Sequence, residues 1–94
     1  MSTDGFDLDR PWQVDSRVSM RPEPFGALLY HFGTRRLSFL KSPALLTVVR
    51  ILGEAPSARA ACRDAGVTEA ELPAYAAALG TLAASQMIRA REAS

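Results

Sequence analysis

A stretch of alternating side chains, FGALLYHFGTRRLSFLK at residues 25–41, most constrains what this chain can fold into. The alternation stops once, at Gly33-Thr34, and then resumes, which is the pattern of two antiparallel strands joined by a tight turn. A two-residue loop with glycine first suits a type II′ turn. Pairing outward from this loop sets Phe32 opposite Arg35, Tyr30 opposite Leu37 and Leu28 opposite Phe39. The sequence therefore predicts a half-buried hairpin with one apolar face and one mixed face.

Elements on either side of the hairpin complete the predicted fold. A first strand is predicted at about 17–21, and the Pro-Glu-Pro turn at 22–24 leads from it into strands at 25–32 and 35–41, because proline cannot continue a ladder. Three helices follow, with N-caps at Ser42, Ser57 and Thr68. Glu71 completes a capping box for the third helix. We predict an α+β fold in which a three-stranded antiparallel sheet precedes three helices, in a winged helix-turn-helix-like arrangement.

The charge of the chain is unevenly distributed. Residues 1–15 have no steady hydrophobic period, and we predict an N-terminal arm there, followed by a folded domain at 16–94. The arm carries four aspartates and one arginine, whereas residues 17–63 carry eight lysines and arginines and two glutamates. A basic middle predicts an acidic partner, or an arm that folds over it. The tail at 86–91 is expected to be extended, with Met87 and Ile88 as apolar anchors.

Composition and motifs argue against catalysis, metal binding and membrane insertion. The chain has no apolar run near the ~20 residues that a membrane span needs and no signal peptide, so we expect a cytoplasmic protein without a membrane partner. Its single cysteine, Cys62, excludes an internal disulfide and a cysteine-based metal cluster within one chain. Its single histidine, His31, lies in mid-strand, and the six glycines are too scattered for a phosphate loop. We expect no enzyme, no cofactor and no metal.

Two kinds of binding protein remain. The helical half has the outline of a winged-helix DNA-binding protein, which is the alternative function, but its third helix opens with Thr68-Glu69-Ala70-Glu71, and phosphate would repel these carboxylates. The third strand pairs on one side only, and an open strand edge is a template for an added strand. Leu40, an apolar residue on the mixed face, is a candidate pocket wall. The open edge also allows strand exchange between two copies of the chain.

Three blocks of sequence carry a family resemblance. They are RPEPFGALLYHFGTRRLSFLKSP at 21–43, LLTVVRIL at 45–52 and AALGTLAASQMI at 77–88. Together they resemble the mycofactocin biosynthesis chaperone family, which belongs to the PqqD-like group of RiPP recognition elements, and the resemblance covers residues 12–88. It implies a three-stranded sheet followed by three helices. It also implies that the domain binds the leader of a ribosomally made precursor peptide as a fourth strand, in a cleft between the third strand and the third helix.

The resemblance further implies a partner and a set of binding residues. The chaperone would present the precursor to a radical SAM/SPASM maturase with auxiliary iron–sulfur clusters, which decarboxylates and crosslinks the C-terminal Val-Tyr of the precursor. The chaperone itself would hold no cluster and do no chemistry. Apart from the resemblance, the carboxylates at the start of the third helix lead us to expect no nucleic acid partner. The leader in this family is acidic, which agrees with the basic middle of the chain. The peptide-binding residues carried over are Arg35, Arg36, Leu37, Ser38, Phe39, Leu40 and Lys41 on the third strand, and Leu72, Tyr75, Ala76 and Leu79 on the third helix, some of which must be core.

Overall fold

A computed structural model describes residues 6–91 as two antiparallel sheets and three helices. The strands are β1 (Trp12–Val14), β2 (Val18–Glu23), β3 (Gly26–His31), β4 (Leu37–Leu40) and β5 (Ile88–Ala90), and the helices are α1 (Pro43–Ile51), α2 (Ala58–Asp64) and α3 (Leu72–Ala84). The order in the larger sheet is β2-β3-β4, while β1 pairs with β5. The predicted α+β fold, a three-stranded sheet with three helices compatible with the PqqD-like arrangement, is confirmed. The first five residues of the predicted arm lie outside the described residues.

The hairpin has the predicted register, but its turn differs. The facing pairs are Ala27–Leu40, Leu28–Phe39, Leu29–Ser38 and Tyr30–Leu37. The ladder closes where the His31 N–H donates to the Arg36 carbonyl at 3.0 Å, and the left-handed residue of the loop between them is Arg35, with φ of 64°. The prediction of a two-residue type II′ turn is therefore wrong. The His31 Nδ1 atom accepts hydrogen bonds from the Gly33 and Thr34 amides at 2.9 and 3.0 Å. These bonds hold the longer loop, which is still centred on Gly33-Thr34.

The hairpin packs on the helices through its mixed face. Ala27, Leu29 and Leu40 have no exposed surface and lie in the core with residues of all three helices. The large apolar side chains of the opposite face point to solvent, and Phe32 and Phe39 remain 62% and 55% exposed. Alternation correctly sorted the side chains into two faces, and the buried face is the one with the smaller apolar residues.

Strand β2 is longer than predicted because it includes Pro22. The turn consists of Pro24 and Phe25, and Pro22 faces Ala27 within the ladder. The Phe32 N–H donates to the Arg17 carbonyl at 2.9 Å. Every second residue from Arg17 onward along β2 therefore directs its main-chain N–H and C=O toward β3. Pro22 falls between these residues, so its missing N–H lies on the outer edge of the sheet, where proline is tolerated.

The helices begin at the predicted caps. The Ser42 and Ser57 hydroxyls accept hydrogen bonds from main-chain amides three residues later, at 3.0 and 3.1 Å. Thr68 and Glu71 form the predicted capping box. The first turn there is a short 3-10 helix, Glu69–Glu71, and α3 follows it. A second 3-10 helix, Leu52–Glu54, extends α1 before the chain turns into α2.

The second sheet joins the two ends of the described chain. Trp12 faces Ala90 and Val14 faces Ile88, so part of the predicted arm is a strand, and the tail is extended as expected. Met87 and Ile88 are fully buried, which confirms them as apolar anchors. Farther toward the N-terminus, Phe6 stacks on Trp12 with ring centroids 4.4 Å apart. Residues 6–15 thus pack on the helices, and the predicted division of the chain at residue 15 stays a prediction.

Candidate functional site

A groove of about 320 Å³ runs between β4 and α3. It is lined by Ser38, Phe39, Leu40, Lys41, Leu45, Ala78, Thr81 and Leu82. A second hollow of about 210 Å³, lined by Ser42, Leu45, Ala74, Tyr75 and Ala78, shares Leu45 and Ala78 with it. The two hollows form one continuous depression along the open edge of the sheet, which we call the β4–α3 groove.

The main chain of β4 faces this groove with unused polar groups. His31 and Arg36 are a hydrogen-bonded pair, and in an antiparallel ladder every second pair is hydrogen-bonded. The main-chain groups of Ser38 and Leu40 therefore point toward β3. The close approach at Gly26 agrees, since a Cβ added there would collide with the Leu40 carbonyl oxygen. The N–H and C=O groups of the alternate residues, Leu37 and Phe39, therefore point away from β3. No partner outside the sheet takes these groups within residues 6–91.

Small side chains form the helical wall of the groove. Ala74, Ala78 and Thr81 follow one another at helical spacing, and the Thr81 hydroxyl is already committed, donating to the Ala77 carbonyl at 3.1 Å. Where these small residues lie, a neighbouring main chain can approach the helix closely, whereas Tyr75 borders the adjoining hollow. The wall is mainly apolar, and the Thr81 hydroxyl can act toward a ligand only as an acceptor.

The structure places the predicted α3 residues in three different environments. Leu72 and Leu79 are buried in the core. Tyr75 lines the adjoining hollow of the groove, whereas Ala76 lies on another side of the helix, in a hollow shared with Phe6. Sequence reasoning missed the groove-lining residues Leu45, Ala74, Ala78, Thr81 and Leu82. The i, i+4, i+7 spacing of Ala74, Ala78 and Thr81 was the available signal, but alanines occupy so much of α3 that this flank does not stand out.

The positive charges near β4 form no ion pair with the described acids. Arg35, Arg36 and Lys41 are exposed and make no ion pair within residues 6–91. The described acids of the arm are directed elsewhere. Asp9 contacts Arg59 at 2.8 Å, and this guanidinium lowers the pKa of the Asp9 carboxyl. Both ends of β4 consequently carry positive charge that no described acid pairs with.

Asp15 is nearly buried beside Arg17 and His31. Its Oδ1 accepts a hydrogen bond from the Arg17 amide at 2.9 Å, which is the main reason that its pKa is lowered, and the Arg17 side chain adds to the effect. The His31 Nε2 atom lies 3.8 Å from the same oxygen, and His31 is completely buried. These contacts hold the loop after β3 in place, so the role of His31 is structural.

The described residues present no evident reactive or metal-binding centre. Cys62 is buried, and burial raises the pKa of its thiol, so the reactive thiolate is disfavoured. Within residues 6–91 no three His, Cys, Asp or Glu side chains come together as a metal site. In the same part of the chain no helix has the length and apolar character needed to cross a membrane. The β4–α3 groove is the candidate binding site, because it lies beside unpaired main-chain groups of a strand.

The fold and the groove together define a class of protein: a small α+β domain with an unpaired strand edge beside a shallow apolar groove. Comparison with known proteins identifies the family. The model of the Peptide chaperone MftB family matches residues 11–89, and the chain belongs to that family. The predicted resemblance is thereby confirmed.

Three curated relatives share more than half of the aligned residues. The Peptide chaperone MftB of Mycobacterium ulcerans (strain Agy99) is 56% identical over 94% of this chain and 81% of the relative. The protein of the same name from Mycobacterium tuberculosis (strain ATCC 25618 / H37Rv) is 53% identical over 93% of this chain and 80% of its own length. That of Mycolicibacterium smegmatis (strain ATCC 700084 / mc(2)155) is 51% identical over 88% and 81%. No solved structure matches the chain significantly.

Proposed function

We propose that this protein is a peptide chaperone of mycofactocin biosynthesis, without catalytic activity or cofactor of its own. It binds the leader of a ribosomally made precursor peptide and presents the precursor to a radical SAM/SPASM maturase. The leader adds to the sheet as a strand at the open edge of β4, inside the β4–α3 groove. This proposal rests on one observation: the main-chain groups of Leu37 and Phe39 point toward the groove and have no partner within residues 6–91.

An added strand would use the groove in two ways. Its main chain would exchange hydrogen bonds with Leu37 and Phe39, which gives affinity that depends little on the leader's side chains. Alternate side chains of the leader would enter the groove against Ala78 and Leu45, which gives selectivity for small or apolar residues. The family name of the relatives, a peptide chaperone, supports a peptide as the occupant.

The positive charges at the two ends of β4 favour an acidic leader. Arg35, Arg36 and Lys41 are exposed and unpaired within residues 6–91, so carboxylates of the leader would meet cations at either end of β4. Exposed ion pairs contribute only about 0.2–1 kcal/mol each, so these charges set the register and the association rate more than the total affinity. By contrast, Glu69 and Glu71 are exposed at the start of the third helix, which disfavours the winged-helix DNA-binding alternative.

Replacing Phe39 with proline tests the proposal. Phe39→Pro removes an N–H that faces the groove and leaves the β3 ladder intact, because the Phe39 main chain points away from β3. We expect leader affinity, measured by isothermal titration calorimetry with a synthetic leader peptide, to fall at least about tenfold, which corresponds to about 1.4 kcal/mol.

Phe39→Ala is the matched control, because it removes the side chain and keeps the N–H. It should lose clearly less affinity than the proline variant. Circular dichroism and thermal melting establish that both variants are folded. A folded Phe39→Pro variant that binds the leader as tightly as the parent chain would refute strand addition at β4.

A further inference from the structure

The outer face of the three-stranded sheet is an apolar surface that shares only Phe39 with the groove. We define the outer face by six side chains, Phe25, Leu28, Tyr30, Phe32, Leu37 and Phe39. Four of them, Phe25, Phe32, Leu37 and Phe39, are at least half exposed. Their rings cluster, since Phe25 lies 6.1 Å from Phe39 and Tyr30 lies 5.3 Å from Phe32 between ring centroids. A contiguous exposed apolar patch in a chain of this size marks an interaction surface.

The outer face is bordered by positive charges. The β2 residues on this face are those opposite its apolar β3 residues, and Arg21, opposite Leu28, is among them. Arg17 lies beside Phe32 at the end of the same row, Arg35 lies in the loop, and Lys41 directly follows β4. Of these four cations, only Arg17 has an acidic partner within residues 6–91, at 3.3 Å from Asp15. Glu23, two residues after Arg21 in β2, is an acid on the same face, so the patch has an aromatic centre and a rim of net positive charge.

This charge pattern selects among the possible occupants. A second copy of the chain, docked face to face around a twofold axis, would bring two rims of net positive charge together, which is unfavourable. A leader strand is a single strand about 4.8 Å wide at the edge of the sheet and would leave the three-stranded face uncovered. The occupant that fits is a folded protein with an apolar patch bordered by carboxylates.

We infer that the outer face docks the maturase to which the leader is delivered, and that a leader bound along β4 completes this docking surface. The inference rests on the proposed function. An added strand would lie about 4.8 Å from β4, and its alternate side chains would project beside those of Leu37 and Phe39. A protein seated on the outer face would then touch the sheet and the leader together. Leader and maturase consequently raise each other's affinity for the chaperone by the same factor.

A double variant separates this surface from the groove. Phe25→Ser/Phe32→Ser removes two exposed rings that neither line the groove nor belong to β4. We expect its affinity for the purified maturase, measured by biolayer interferometry with saturating leader peptide, to fall at least tenfold. Its affinity for the leader alone should stay within twofold of the parent chain. With the parent chain, leader should raise maturase affinity at least fivefold.

A charge reversal provides a matched pair of variants. Arg21→Glu changes the rim of the outer face, whereas Arg63→Glu makes the same change near the end of α2, where the side chain is also exposed. Only Arg21→Glu should weaken maturase binding, and it should do so more at low salt than at high salt. Equal losses in the two variants would overturn the assignment of this surface.

The outcomes distinguish the inference from the function on which it rests. If the parent chain fails to bind leader or maturase, the proposed function is wrong. If the folded Phe25→Ser/Phe32→Ser variant binds both as the parent chain does, only the outer-face assignment is wrong. A dimer of the parent chain in analytical ultracentrifugation that is lost in this variant would identify a second copy as the occupant and would also overturn the inference.

Discussion

The two edges of the three-stranded sheet differ in what they offer another strand. On the β2 edge the residues whose main-chain groups point away from β3 are Val18, Met20 and Pro22. The Val18 N–H already donates to the Asp15 carbonyl at 2.9 Å, and Pro22 has no N–H, so Met20 holds the single free donor of this edge within residues 6–91. On the β4 edge both Leu37 and Phe39 keep free groups beside a groove. The sheet thus closes one edge and leaves the other available, in the way that natural sheets protect their edges.

The groove itself should be more sensitive than the charges around it. Ala78→Leu places a branched side chain in the path of a strand added to β4, because Ala78 lines both hollows of the groove. We expect leader affinity in calorimetry to fall about tenfold or more. Ala77→Leu changes an exposed alanine of the same helix that lines a different hollow, so it is the control and should bind normally. Equal binding by both variants would mean that the leader does not pass along α3.

Charge reversal just before β4 should have a smaller effect on leader affinity. Replacing Arg35 and Arg36 together with glutamate should weaken leader binding several-fold at low salt, with much of the loss disappearing at high salt, because exposed pairs are screened. Arg50→Glu/Arg63→Glu, which changes two exposed helical arginines, is the matched control. If the loss in the first variant is the same at both salt concentrations, electrostatic steering of the leader is ruled out.

The contact between Asp15 and Arg17, beside the β2 edge, should affect the stability of the fold and change leader affinity by less than twofold. The folded-state pKa of Asp15 lies below its ordinary 3.8, so the ionised carboxylate stabilises the fold above pH 3.8, and this contribution disappears as the pH falls through the lowered value. Asp15→Asn should therefore reduce the free energy of unfolding by about 0.5–1.5 kcal/mol at pH 7. Urea denaturation against pH measures the difference, which should shrink toward zero in strong acid. A difference that is constant with pH would assign the effect to packing.

The sequence predicted the features that depend on neighbouring residues. The caps at Ser42, Ser57 and Thr68 and the pairing of Leu28 with Phe39 follow from local chemistry, and all are present. The turn was missed because its length depends on the His31 imidazole, which accepts hydrogen bonds from two loop amides. Hydrophobicity alone contains no signal for such a contact.

Other features depend on residues far apart in the chain and could not be predicted. The pairing of Trp12 with Ala90 joins the two ends of the described chain, and neither short strand has a marked pattern. Alternation shows which side chains share a face of the hairpin, but the helices decide which face is buried. The same limit applies to α3, where Ala77 and Ala78 are chemically identical and only Ala78 meets the groove.

Amide hydrogen exchange tests the difference between the edges most directly. Measured with and without the leader peptide, exchange at the amides of Leu37 and Phe39 should slow on binding, while the Met20 amide on the opposite edge should stay unchanged. Strand addition at β4 predicts this asymmetry, because only the β4 donors gain partners. Unchanged exchange at Leu37 and Phe39 under saturating leader, or protection of Met20 in their place, would contradict the account.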